Sequence, residues 1–187
     1  DVMKFFHPIA IVVAILLPAA GLAQEEKPYY FYRGRDYGSE ALINPLSLTI
    51  NGGFGILQYG NLKRNINDIR SGTGFRNVFS NLSHPGGSVR EYGWGDFVSN
   101  EIFPTSLNRK NAQYWPNYQN HLIGGGMQYI EMKEWYRYHS FPSPTVSALA
   151  TMAFYHVLNE AVENNAYDGT NVDPVADLLI FDPLGIV

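Results

Sequence analysis

The sequence predicts a mainly α protein: a helical hairpin and a C-terminal helix, preceded by an irregular half rich in glycine and aromatic residues. Three observations lead there. The run Thr145–Asn164 contains neither Gly nor Pro and is apolar over most of its circumference, as a buried helix is. Pro116–Tyr138 has helical character and is joined to that run by Phe141-Pro142-Ser143-Pro144, where Ser143 and Pro144 supply an N-cap and a first-turn proline. The tail Asp173–Pro183 reads as a further short helix ended by Asp182-Pro183.

The N-terminal elements follow in chain order. Met3-Lys4, the apolar run Ile9–Leu17 and the small residues Gly21 and Ala23 make residues 1–23 a secretory signal peptide, with cleavage expected between Ala23 and Gln24. Its apolar core is shorter than the roughly 20 residues that span a bilayer. Residues 24–110 form the irregular region: a polar tether at Gln24–Pro28, then an extended aromatic and basic stretch at Tyr29–Arg35. Leu46, Leu48 and Ile50 alternate as in a strand, and Asn51-Gly52 or Gly52-Gly53 offers a turn, so a short β-hairpin is expected between Asn44 and Gly60. Gly74–Leu82 and Gly93–Phe103 each allow two or three helical turns, with Ser83-His84-Pro85-Gly86-Gly87 as the break between them. Asn108-Arg109-Lys110-Asn111 is a solvated loop. Residues 111–187 form the helical domain. The expectation is that it continues past Val187, since Asp1-Val2 precede Met3 and the chain stops in an apolar stretch.

Gly124-Gly125-Gly126 interrupts the first arm of the hairpin. Each glycine costs a helix about 1 kcal/mol against alanine. The run is accounted for if another backbone comes close there.

Composition excludes several function classes. The net charge of −4 with no basic run gives no electrostatic footprint for nucleic acid. The absence of cysteine rules out disulfides, zinc–thiolate sites and a cysteine nucleophile. Charged residues are only 16% of the chain and aromatics 14%, a balance that suits a boundary between apolar and wet surroundings such as a membrane surface. A tyrosine-rich globular surface accounts for it equally.

Chemistry concentrates on one stripe. On the Thr145–Asn164 helix, Leu149, Met152, His156, Glu160 and Glu163 share a face, with Asn159 beside them, so the face turns from apolar to ionisable at mid-helix. Buried ionisable groups must pair, bind metal or lose their charge. His121 and His139, eighteen residues apart, would share a face of a continuous preceding helix, with Glu131, Glu134 and Arg137 between them. Three readings stay open, one of them a contact with a partner or a lipid headgroup. Another is a structural network fixing helix register, joining His139, Asn159, Glu134 and Arg137 to the stripe. The third is a divalent metal held by His121, His156 and Glu160, with Glu163 or Asp177 as general base. Asp173 and Asp182 each adjoin a proline and have a capping explanation; Asp177, facing Arg137 or His139, does not. No His-Glu-x-x-His, Gly-x-Ser-x-Gly or phosphate-binding glycine loop is present.

Asn117-Tyr118, His121, Gly124-Gly125, Glu134-Trp135, His139, His156-x-x-Asn159-Glu160-x-x-Glu163, Asp173-Pro174-x-Ala176-Asp177 and Phe181-Asp182-Pro183-x-Gly185 together resemble an uncharacterised bacterial domain family of exported, envelope-associated proteins. The resemblance covers roughly residues 114–187. It implies an envelope location and points to the His/Glu/Asp set; it implies no activity. The expectation is therefore an exported protein of the periplasm or outer membrane, in contact with envelope or membrane components. Its role is expected to be that of a non-catalytic structural or binding module, the alternative being a metal-dependent hydrolase of an envelope lipid or peptidoglycan.

Overall fold

Residues 29–58, 66–103, 117–166 and 171–187 are described in the computed structural model of the chain. The expected signal peptide, the polar tether and the Asn108–Asn111 loop lie outside these residues. Among the described residues all regular structure is helical and there is no strand. The helices are α1 (Pro45–Gly53), α2 (Ser71–Ser83), α3 (Pro85–Tyr92), α4 (Trp94–Phe97), α5 (Gly125–Tyr138), α6 (Pro144–Glu163), α7 (Asp173–Ala176) and α8 (Asp182–Ile186). Three π segments extend them: Val98–Ile102 after α4, Asn117–Gly124 ahead of α5, and Asp177–Phe181 joining α7 to α8.

The expected β-hairpin is a helix instead. Asn44 is extended, and its side chain accepts the Ser47 N–H at 2.8 Å, while Pro45 takes the first helical turn. That start signal outweighs the alternation of Leu46, Leu48 and Ile50. Only Leu48 of the three packs into the core; Leu46 and Ile50 are exposed. The expected break in Ser83–Gly87 falls at His84, between the end of α2 and the start of α3, whose first turn holds Pro85.

Helix α6 is the axis on which α1, α2 and α5 pack. Its Ala148, Met152 and Tyr155 join Tyr129, Met132 and Tyr136 of α5 in one apolar cluster, and its Ala161 joins Val78 of α2 and Leu178 in a second. A third cluster ties Val89 and Phe97 to Val172, Val175, Ala176 and Phe181. Full burial of a side chain such as Met132 contributes about 1.5–3 kcal/mol. Burial of α6 is less complete than its composition implies, because Val146 and Phe154 face outward.

The glycine run does what a close approach requires. A Cβ on Gly126 would lie 2.2 Å from the carbonyl oxygen of Gly185, and one on Gly185 would lie 2.4 Å from that of Leu122. The C-terminal run therefore lies backbone against backbone along the start of α5. It also continues through Asp182-Pro183 rather than ending there, since Pro183 occupies the first turn of α8, where its missing N–H costs least. Among the described residues no helix is long and apolar enough to cross a membrane.

Candidate functional site: a buried histidine–carboxylate centre

Three chain segments converge on one interior. Helix α6 contributes His156, Glu160 and Glu163, spaced four and three residues apart on one face. The π segment before α5 contributes His121, with Asn117 four residues earlier. The C-terminal run contributes Asp173, Asp177 and Asp182. Asp177 and Asp182 are five apart, a spacing that diverges on an α-helix. The intervening π segment closes its hydrogen bonds one residue later and brings them into line.

Asp182 sits between the two imidazoles. Its Oδ1 is 2.9 Å from His121 Nδ1 and its Oδ2 is 2.6 Å from His156 Nδ1. Burial opposes its ionisation, but the neighbouring His156 and His121 prevail and hold Asp182 below its usual value. An ionised carboxylate only accepts, so each Nδ1 carries the proton and donates it. Burial also pushes His156 down, toward the neutral ring. Both Nε2 atoms are thereby directed away from Asp182. His121 Nε2 lies 3.1 Å from Asp177 Oδ2 and 3.9 Å from Glu160 Oε1. His156 Nε2 is buried with no hydrogen-bond partner.

The carboxyls beyond this pair crowd one another. Burial, then Asp173, Glu163 and Asp182, raise Glu160 well above its ordinary value. Burial, then Asp173 and Glu160, do the same to Asp177. Burial raises Asp173, against the pull of His121 and a hydrogen bond from Glu101. Burial with Asp173 beside them pushes Glu163 and Glu101 up to about 8. Glu160 Oε1, Asp177 Oδ1, Asp173 Oδ1 and Glu101 Oε2 have no hydrogen-bond partner. Orphaned buried polar atoms are uncommon in folded proteins, and an ion is one of the few things that accounts for several at once.

The donor sets suit a cation. His121 with His156 and Asp182, His121 with Glu160 and Asp177, and Glu160 with Glu163 and Asp173 each offer ligand atoms within 4.8 Å of one another. Ligands of one transition-metal ion at about 2.0–2.2 Å stand roughly 3.0–3.6 Å apart, and the contacts around His121 Nε2 are close to that range.

The structure thus brings together His121, His156, Glu160, Glu163 and Asp177, and it adds members given another reading or none. Asp182 accepts from two histidines rather than capping a helix, and Asp173 makes no side-chain cap. Asp177 faces His121, not Arg137 or His139. Glu101, 4% exposed, carried no sequence signal: it is one acid in the run Val98–Phe103. Asn164 donates to the Glu160 carbonyl, and Asn117 to that of Glu101.

Four expected network members lie elsewhere. His139 is exposed, just past the end of α5, and stacks on Trp135, because the π segment breaks the eighteen-residue phase with His121. Glu134 is buried but accepts the backbone N–H groups of Tyr30, Phe31 and Tyr32. The Arg137 guanidinium lies 4.0 Å from the ring centre of Tyr29. Asn159 donates to the Gly52 carbonyl, fastening α6 to α1. Compared with protein-family models, curated proteins and solved structures, the chain matches none.

Proposed function

We propose that this is an exported, envelope-associated binding module whose three converging segments are held together by a divalent cation in the His121/Glu160/Asp177 position. One observation carries the reading. The Nδ1–H of His121 is already donated in a hydrogen bond to Asp182, and its Nε2 faces Asp177 and Glu160, whose Oδ1 and Oε1 have no hydrogen-bond partner. A lone pair set against two ionised carboxylates is repulsive until a proton or a metal ion enters. A protonated His121 bridging Asp182 and Asp177 would meet part of that need. It would leave Glu160 Oε1 and Asp177 Oδ1 unsatisfied, whereas a metal ion in the His121/Glu160/Asp177 position takes these two carboxylates as ligands. The mixed imidazole and carboxylate donors favour zinc, iron or manganese.

The leader at residues 1–23, the aromatic-rich composition and the family resemblance support export to the periplasm or outer membrane, with envelope components as partners. The rival reading, a metal-dependent hydrolase of envelope lipid or peptidoglycan with Glu163 or Asp177 as base, needs a ligand position that substrate can reach. His121, Glu160 and Asp177 are 5%, 0% and 3% exposed, which favours the binding module.

The test is elemental analysis of the purified full chain together with its melting temperature before and after chelation. The expected result is near-stoichiometric divalent metal and a clear fall in melting temperature on chelation, since an ion at 100 times its Kd stabilises by about 2.7 kcal/mol. A chain that carries no metal, and melts identically with and without added zinc or manganese, overturns the reading and leaves a protonated polar network.

A further inference from the structure

Resting on that reading, we infer that the core binds a second cation beside the first: Glu160, Glu163 and Asp173 form an all-carboxylate position, and Glu160 bridges the two ions.

The two positions are built alike. Helix α6 supplies Glu160 to both and Glu163, three residues on, to the second; the C-terminal run supplies one aspartate to each, Asp177 and Asp173, four apart. Both run along one helix face, so the elements that align the first pair align the second. The ligand atoms of Glu160, Glu163 and Asp173 lie within 4.8 Å of one another, as do those of His121, Glu160 and Asp177. Glu160 belongs to both sets.

A cluster of acids needs more than proximity, and the second position has more. Asp173, 6% exposed, has an Oδ1 with no hydrogen-bond partner. Glu101 hydrogen-bonds Asp173 and keeps its own Oε2 buried and unpartnered. Asp173 belongs to no set that holds a histidine, so its orphaned Oδ1 stays unexplained by the first site alone. The charge balance points the same way. Glu101, Glu160, Glu163, Asp173, Asp177 and Asp182 share this interior, and among the described residues the ion pairs that reach it come from imidazoles. Carboxyls ionised by ligation there carry more negative charge than one divalent ion offsets, and a second ion offsets two charges more. The chemistry also differs between positions. The histidine position has a nitrogen donor and suits zinc, iron or manganese; the all-oxygen position suits magnesium, calcium or manganese. Manganese fits both. Paired ions sharing a carboxylate stand about 3.5–4 Å apart, close enough for their electron spins to couple.

The experiment is a titration of the chelator-stripped full chain with Mn(II), reading bound metal by elemental analysis and coupling by electron paramagnetic resonance. The expected result is about two equivalents with a spin-coupled signal, falling to about one uncoupled equivalent in Glu163→Gln and in Asp173→Asn. Glu163 is only partly buried, so its substitution is the one expected to fold without loss, and the wild-type stoichiometry stands independently of either variant. One equivalent in the wild type, unchanged in Glu163→Gln, overturns the second position and leaves the first. No bound Mn(II) and no change in melting overturns both.

Discussion

Asp182 Oδ2 lies 2.6 Å from Nδ1 of His156, and the same carboxylate reaches His121 through its other oxygen. One side chain thus fixes the tautomer of two imidazoles on different segments and leaves both Nε2 lone pairs free, that of His121 facing Asp177 and Glu160. Orienting a metal-binding imidazole through its second nitrogen is what a carboxylate partner does best.

Asp182→Asn should separate orientation from ligation. The amide keeps one acceptor, but its NH2 group donates, so one ring must move its proton from Nδ1 to Nε2 and lose its free Nε2 lone pair. Metal affinity is expected to fall about 10–100-fold, measured by competition with a chromophoric chelator. Nitrogen chemical shifts should show one imidazole changing tautomer. Unchanged affinity with both rings still protonated at Nδ1 would mean that Asp182 does not set the donors.

The metal-free and metal-loaded chains should respond to pH with opposite slopes. In the metal-free protein Glu160, Asp177, Asp173, Glu163 and Glu101 are all raised, the last two to about 8. Their unfolded values are about 4, so the folded chain binds the extra protons above that point. Their contribution to stability is complete below about pH 4 and is lost as pH rises, through about 8 for Glu163 and Glu101. His156 and Asp182 are lowered and act the other way, losing stability on acidification, but they are outnumbered. Melting temperature in chelator should therefore decline from mildly acidic pH to pH 8. With Mn(II) in excess it should rise over the same interval, because protons compete with the ion for the same oxygens. Parallel curves in the two conditions would count against carboxylate ligation.

How far this was legible follows from periodicity. The face of α6 carrying His156, Glu160 and Glu163 is a plain α-helical pattern, so those residues were readable as a set. The partners were not readable in the same way, because His121, Asp177 and Asp182 lie in or beside π segments, where α-helical phase arithmetic fails. That arithmetic paired His121 with His139, which the structure leaves on the surface. Asp173 and Asp182 were hidden by their prolines, since an Asp-Pro pair has a local use that needs no tertiary partner. The helix at Pro45–Gly53 was hidden by alternating leucines, although its Asn44-Pro45 start was in plain view. Glu101 gave no local signal at all, and only tertiary packing makes it a neighbour of Asp173.

Two glycines two residues apart on the same helix should behave oppositely when replaced by alanine. A Cβ on Gly74 would lie 1.8 Å from the carbonyl oxygen of Ala161, whereas one on Gly72 meets nothing within 4 Å. Gly74→Ala must push α2 away from α6, at a cost of about 1–3 kcal/mol. Gly72→Ala should be neutral or stabilising by up to about 1 kcal/mol, the helix-propensity gain. Urea denaturation of both variants measures this. Equal effects would mean that α2 does not approach α6 as closely as the structure places it.

The strap at Tyr30–Tyr32 should detach without disturbing the centre. Glu134 receives three consecutive backbone N–H groups at 2.7, 2.7 and 3.0 Å, and Tyr32, folded against Tyr138, is 7% exposed. Hydrogen bonds to a charged acceptor contribute about 1.5–3 kcal/mol each at most, so Glu134→Ala removes the strap's three backbone anchors and leaves it the ring contacts of Tyr29 and Tyr32. Amide exchange at Tyr30, Phe31 and Tyr32 should accelerate by at least tenfold, in keeping with a local loss above about 1.4 kcal/mol, and Tyr32 should become reachable by solvent quenchers. Metal content should not change, because Glu134 bonds to the strap and not to His121 or its partners. Loss of metal in this variant would place Glu134 in the centre after all, and would require the strap and the carboxylate cluster to be coupled through α5.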